Sequence, residues 1–330
     1  MNEKILHLIN YAGNGGSEKY IQTIGGDFLV YNIKGPPTNY FDSFQTFQIK
    51  MKSAFDFRAA KKLSKFCKKN DVKVVHTHFL REHYIAIFSK FFGNKAKVIY
   101  TSHINVEHGF IKRIINLIVT RRSYAIIAVC NSVKELLIKN GYPNKIKVIY
   151  NGVPRRDLEE DVTVNTKNIV TLARLSEEKG LFFLCNVAKK MDNFNFIVAG
   201  DGPLKEKLLN YAPKNVSFVG HVNPEEILKN AVLYFNSSSS EALSFGILEA
   251  MSYKVPLVLT NTGGNVDIIN ESGAGILFNY GDVTMCIEAI NKVFRNREMY
   301  GEKALEAIEN VFSEEVMKKK TYEAYGIGAL

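Results

Sequence analysis

Short apolar runs of strand length alternate with stretches of helical period along almost the whole chain, and the alternation stops once. In the first half, strands are expected over residues 5–9, 28–33, 72–76, 97–101, 125–129 and 145–149, with a weaker extended piece at 44–49. Between them, helices are expected over 17–24, 54–69, 82–92, 110–121 and 132–140; in the second of these Phe55, Ala59, Leu63 and Phe66 recur near helical spacing. Strands alternating with helices argue for a parallel, doubly wound α/β sheet. Asn151-Gly152-Val153-Pro154 breaks the rhythm, and 155–167 is charged with little periodicity, which reads as a hinge. Strands then return at 169–173, 194–199, 216–219, 232–235 and 256–260, with helices at 181–190, 204–211, 225–230, 245–253 and after Gly281. The last segment, 312–325, is amphipathic and helical. With 330 residues there is material for two domains, 1–154 and 155–311, followed by a C-terminal helix in 312–330.

Composition narrows the class. A hydrophobic content of 46% with 23% charged residues is globular. No apolar run approaches the ~18 residues of a membrane span, and the apolar run at residues 5–9 is too short for a signal peptide. Cys67, Cys130, Cys185 and Cys286 are widely spaced and form no C-x-x-C pair, so a reduced, cytoplasmic protein is expected. Residues 1–154 carry 24 Lys and Arg against 9 Asp and Glu, whereas 155–330 carry 19 against 24. A basic half joined to an acidic half points the first towards something anionic, with nucleic acid and an anionic membrane surface as candidates. Solubilising lysines on helix surfaces are the plain alternative, as at Lys61-Lys62 and Lys68-Lys69.

The most informative stretch is 231–251. An apolar strand leads into Ser237-Ser238-Ser239-Ser240-Glu241-Ala242-Leu243-Ser244, and then Phe245, Leu248, Ala250 and Met251 recur at helical spacing. Ser240 or Ser244 can cap that helix. The N–H groups and positive dipole end at a helix start favour an anion. Glu241 in the loop and Glu249, in the helix about two turns on at ~1.5 Å per residue, bracket that position. A ligand with hydroxyls at both ends and an anion between them would fit. So would an ordinary βα loop with two solvated carboxylates.

Glu241, seven intervening residues and Glu249-Ala250-Met251 resemble the E-x7-E signature of the retaining glycosyltransferases of family 4. The resemblance implies the GT-B fold, two facing Rossmann-like domains with the active site in the cleft between them. It implies that Glu241 touches the transferred sugar, that Glu249 holds the ribose, and that amides through Leu243, Ser244, Phe245 and Gly246 hold phosphate. Other motifs follow in the family's order. Gly13-Asn14-Gly15-Gly16-Ser17-Glu18 lacks the last glycine of a dinucleotide fingerprint and the Gly-Lys-Ser/Thr of a P-loop. It resembles the family's G-G-x-E element, which places the Gly15 and Gly16 amides towards donor phosphate and acceptor. Arg174 at a strand end and Lys179 five residues on could clamp and neutralise a departing diphosphate without a metal. They match the family's R…K-G element. Gly200-Asp201-Gly202-Pro203 resembles its G-D-G-P turn near the nucleotide, and Gly220-His221-Val222 the loop whose backbone reads the base. Gly263-Gly264-Asn265 matches a G-G element, while Lys254 stands where glycine is usual.

Five of seven histidines, His76, His78, His83, His103 and His108, fall within 33 residues. A His-x-His at a strand end is also a metal-ligand arrangement, so a zinc hydrolase has to be weighed, although no cysteine lies nearby. The resemblance implies that His103 sits beside the transferred sugar; for His76, His78 and His83, packing or acceptor contact is the favoured role. The run Ile111-Lys112-Arg113-Ile114-Ile115 to Arg121-Arg122 is apolar and basic, as in interfacial helices, but is more often a core helix with a basic edge. The expectation is a metal- and cofactor-independent retaining glycosyltransferase using a nucleoside-diphosphate sugar, UDP-linked by preference. Its acceptor would be a glycan or lipid-linked, as in bacterial surface polysaccharide synthesis, on the cytoplasmic side of a membrane and not on nucleic acid. A nucleotide-sugar epimerase or a non-catalytic nucleotide-sugar-binding protein are the alternatives.

Overall fold

The computed structural model describes residues 3–13, 15–32, 38–104, 106–143, 145–156 and 167–327. The chain divides into two compact units, residues 1–150 with 314–330, and residues 151–313. Most of the expected hinge, 157–166, lies outside the described residues.

The first unit runs β1 (Ile5–Ile9), α1 (Gly16–Ile24), β2 (Phe28–Tyr31), β3 (Gln45–Gln48), α2 (Phe57–Lys69), β4 (Val74–Thr77), α3 (Leu80–Ser89), β5 (Lys97–Ser102), α4 (Phe110–Val119), β6 (Ala125–Ala128), α5 (Asn131–Lys139) and β7 (Ile146–Val148). Its seven strands are all parallel, in the order β3-β2-β1-β4-β5-β6-β7. β1, β4 and β6 are buried end to end, as strands covered on both faces must be. Helix α2 starts three residues later than its apolar spacing predicts, because the Asp56 carboxylate accepts from Ala59 N at 3.0 Å and sets the first turn there. The C-terminal helix α13 (Glu314–Tyr325) belongs to this unit, packing on α1 and β6.

The second unit runs β8 (Asn168–Leu172), α6 (Leu181–Ala188), β9 (Asn195–Ala199), α7 (Lys205–Tyr211), β10 (Val216–Gly220), α8 (Pro224–Leu228), β11 (Ala231–Asn236), α9 (Phe245–Ser252), β12 (Leu257–Thr260), α10 (Gly264–Ser272), β13 (Gly275–Phe278), α11 (Val283–Arg295) and α12 (Arg297–Asn310). Six parallel strands lie in the order β10-β9-β8-β11-β12-β13. Helix α10 and strand β13 go beyond the sequence reading. Both are short, and glycines at their starts hide the periodicity.

Both sheets are Rossmann-like and share a device. The chain starts in the middle, winds to one edge, then returns to the middle and winds to the other. The strand order therefore reverses between β1 and β4 in one unit, and between β8 and β11 in the other. In open parallel sheets the crevice beyond the carboxyl ends of two such strands is where ligands bind.

Candidate active site

In the second unit, the loops leaving β8 and β11 carry the predicted charged residues. β8 ends at Leu172, and Arg174 follows in an exposed position. A 3-10 turn at Glu177–Lys179 then delivers Lys179 to the start of α6. Ser176 Oγ donates to Glu178 Oε1 at 2.6 Å, and that bond, with the nearby Lys179 and Arg174 charges, holds the Glu178 carboxyl below its usual pKa. Lys179 Nζ meets Glu241 Oε2 at 2.7 Å, and Ser238 Oγ donates to the same oxygen at 3.0 Å. Two residues expected on different parts of one ligand, Lys179 on phosphate and Glu241 on sugar, thus hold each other. The two loops are tied at other points: Ser237 Oγ donates to Lys179 O and Ser239 N to Glu178 O. Gly180 has φ +62° and lies so close to Ser237 O that a Cβ would stand 2.1 Å from it. Only glycine lets these loops meet.

Ser244 occupies the N-cap position of α9, but its side chain makes no capping bond, contrary to the capping expected of it or Ser240. The first turn is therefore not closed by the Ser244 hydroxyl. The loop before it is anchored, since Asn151 Nδ2 donates to Leu243 O at 2.8 Å. Phe245 and Gly246 are half-buried on the first turn, and Glu249 is half-buried one turn on. Tyr234, at the centre of β11, bridges to β8: its hydroxyl donates to Leu172 O and accepts from Leu172 N. Burial raises the Tyr234 pKa first, and the Glu241 and Glu249 charges raise it further, so both carboxylates act on this one phenol. Glu241 in the loop and Glu249 on α9 are thus both within electrostatic reach of Tyr234.

Four further predicted residues lie beside β9 and β10. Gly200 N donates to Gly220 O at 2.7 Å, and Gly202 N to Asp201 Oδ1 at 2.7 Å, so both amides have protein partners and the turn holds neighbouring loops in register. Lys205 and the Gly202 amide hold the Asp201 carboxyl below its usual range. His221 is exposed and Val222 half-buried just past β10. The sequence reading missed a buried amide network beneath the serine loop. Asn265 Nδ2 donates to Asn236 Oδ1, Thr260 Oγ1 and Thr260 O, each at 3.1 Å, and Thr260 Oγ1 donates to Ser238 O at 2.6 Å. Its only sequence signals were a polar residue closing each apolar strand and one following Gly263-Gly264.

In the first unit, Gly15 is the N-cap of α1 and Gly16 its first residue, both exposed after β1. Here the reversal point is lined by histidines. His7 Nε2 lies 2.9 Å from Gly25 O, His7 Nδ1 3.0 Å from His78 Nε2, and His78 Nδ1 3.1 Å from His103 Nε2. Burial lowers all three, His7 to about 4 and His103 to about 3, with neighbouring histidines further depressing His78, so the rings are neutral near pH 7. A carbonyl can only accept, so the proton order is fixed from Gly25 outward: each ring donates through Nε2, and His7 and His78 accept through Nδ1. His76 bonds Tyr325 OH at 2.6 Å and Thr101 Oγ1 at 2.7 Å, and His83 bonds Thr77 and Ser123. His7, His76 and His78 do bring one ring nitrogen each within 4.8 Å of one another. Hydrogen bonds within the protein nevertheless account for both ring nitrogens of all three, which favours packing over a zinc centre. His7 and Tyr325 escaped the sequence reading because the strand and helix that bring them to these histidines are distant in the chain.

Two doubly wound parallel-sheet units, with cations, carboxylates and a helix start at the reversal point of the second, have the architecture expected of the GT-B class. Residues 33–156 match the model of Glycosyltransferase Family 4, and residues 156–311 that of Glycosyl transferases group 1. The chain belongs to glycosyltransferase family 4. It is 25% identical over 305 residues to the Escherichia coli UDP-Gal:α-D-GlcNAc-diphosphoundecaprenol α-1,3-galactosyltransferase, covering 80% of this chain and 79% of that one. It is 31% identical over 155 residues to the sulfoquinovosyl transferase of Arabidopsis thaliana, covering 45% of this chain but only 28% of the plant protein. The fold superposes on Anabaena HepE, solved with UDP and glucose, with a TM-score of 0.85 and 16% identity, covering 98% of this chain and 100% of HepE. Sucrose-phosphate synthase of Thermosynechococcus elongatus gives 0.78 at 13% identity, over 98% of each chain. Among the described residues no helix is long and apolar enough to cross a membrane.

Proposed function

We propose that this glycosyltransferase is retaining and metal-independent, and that it moves a sugar from a UDP-sugar to a glycan or lipid-linked acceptor in bacterial surface polysaccharide synthesis. The observation that carries the reading is the cluster at the ends of β8 and β11, where Arg174, the Lys179–Glu241 pair and the start of α9 lie on or beside loops that hydrogen-bond one another. Cations and a helix start together can neutralise the charge that develops on a leaving diphosphate, so the protein itself supplies what a divalent ion would. Glu249 takes the ribose hydroxyls, and Glu241 takes the sugar once Lys179 turns to phosphate. His103, of fixed tautomer in the first unit, is the further group assigned to the sugar. Retention without an enzymic nucleophile implies departure and attack on one face, the leaving phosphate accepting the proton of the acceptor hydroxyl.

The UDP preference draws support from relatives, HepE having been solved with UDP-glucose and the E. coli enzyme being named for UDP-galactose. An anionic membrane surface on the cytoplasmic side is the partner that a lipid-linked acceptor would imply. A thermal-shift panel of UDP-, GDP- and ADP-sugars tests the donor, since a ligand that binds the folded state raises its melting point. The UDP-sugar is expected to give the largest shift; a larger GDP or ADP shift overturns the base assignment. Proton NMR of the first-formed product must show the donor's anomeric configuration, and chelation with EDTA must leave the rate unchanged.

A further inference from the structure

Helix α4 keeps most of its apolar side chains on the outside. Phe110, Ile111, Ile114, Leu117 and Ile118 fall on one face at helical spacing, and that face is the exposed one: Phe110 is 75%, Ile111 74% and Ile118 59% accessible. Its buried side carries Asn116 and Val119, with Ile115 packed partly buried beside them. Of the two readings offered for this run, the exposed apolar face fits the interfacial helix better than the core helix with a basic edge.

This orientation is locked by polar bonds. Tyr84 OH donates to Asn116 Oδ1 at 2.5 Å, while Asn116 Nδ2 donates to Asn140 O at 2.6 Å and contacts His108 Nδ1 at 2.9 Å. Thr120 Oγ1 donates to Asn116 O, and Arg113 Nε to His108 O at 2.8 Å. Rotating the apolar face inward would strand these buried groups without partners, which is costly. Buried apolar surface is the usual home of such residues, so a face held outward against that tendency calls for a partner.

We infer that this face of α4 is a docking surface for an anionic lipid bilayer, the helix lying in the plane of the interface. Charge selects the occupant. Lys112 flanks the apolar stripe, and Arg121 and Arg122 follow in the next turn, all exposed, with Arg122 over the Phe91 ring at 5.1 Å. The one acid of the segment, Glu107, is already paired with Arg113 and Lys139. An apolar face bordered by cations matches lipid headgroups over acyl chains, whereas a protein partner or a second copy of this basic unit would have to supply the matching acids. The inference deepens the proposed acceptor chemistry but does not depend on transfer.

The test is flotation of the full chain, without donor or acceptor, on phosphatidylcholine vesicles with and without phosphatidylglycerol. Binding is expected only with phosphatidylglycerol and is expected to fall at high salt. The double variant Ile111→Gln, Ile118→Gln should lose at least about ten-fold in bound fraction, and Arg121→Gln with Arg122→Gln about five-fold per charge removed. Phe110→Gln reads the same face should the double variant fail to fold. No flotation of the wild type at low salt, or flotation unchanged in both apolar variants, overturns the proposal. So does a self-association that Phe110→Gln abolishes, which would make the face a contact between copies. Flotation without any transfer would instead fault the proposed function alone.

Discussion

The two units use one backbone device for opposite electrostatics. In each, the strand order reverses beside the first strand, and the loops leaving the reversal point carry the conspicuous residues. In the second unit these are charges, exposed at Arg174 and half-buried at Lys179, Glu241 and Glu249. In the first they are imidazoles held neutral by burial and bonded in series, His7 to His78 to His103. Charged groups within reach of solvent can meet an anion and change partner, as the proposed function asks of Lys179 between Glu241 and phosphate. Neutral buried groups cannot, but they fix the orientation of whatever lies at the end of the series. One reversal point is built to bind charge, the other to hold a geometry.

The contrast breaks first if charge is removed. Arg174→Ala and Glu249→Ala are each expected to lower transfer by roughly 10²- to 10³-fold, with melting temperatures near wild type. Near-normal turnover in a direct transfer assay would show that the second unit's charges are ordinary surface groups. Acid should act on the other unit. Histidines with lowered pKa bind fewer protons folded than unfolded, so stability is full above pH ~6.5 and falls as the pH drops towards the folded values near 4 for His7 and 3 for His83 and His103. For His7 alone the loss by pH 4 is about 3 kcal/mol. Thermal melts from pH 7.5 to 4.5 should therefore decline, and a flat profile would refute neutral burial.

Smaller effects sharpen the comparison. A Cβ at Gly264 would stand 1.7 Å from Ala242 O, so Gly264→Ala should displace the serine loop and cost about 2 kcal/mol by denaturant titration. Transfer should fall with it, because Gly264 N also donates to Glu241 O. The smallest change is expected for His108→Ala. That ring is half-exposed and takes one bond from Asn116, so about 1 kcal/mol of stability is at stake and transfer should hardly move.

Legibility followed the range of the interaction. The strand-helix rhythm, the charged loop residues and the E-x7-E spacing are local, and they were readable. Helix boundaries shifted where a side chain set them, as Asp56 does for α2, and α10 with β13 were hidden by glycines and shortness. The amide network of Asn236, Thr260 and Asn265 joins segments up to 29 residues apart, and His76 meets Tyr325 across 249 residues. No window of sequence contains such pairs.

Two things were decided at different levels. Alternating period and the order of motifs already dictated a pair of parallel-sheet units and the family, because backbone hydrogen bonding and apolar burial impose their spacing residue by residue. Which face of α4 looks outward, which proton each histidine holds, and the mutual grip of Lys179 and Glu241 were left to the tertiary structure. Those depend on partners delivered from remote strands, whose bonds and exclusion of water outweigh the preference of any single segment.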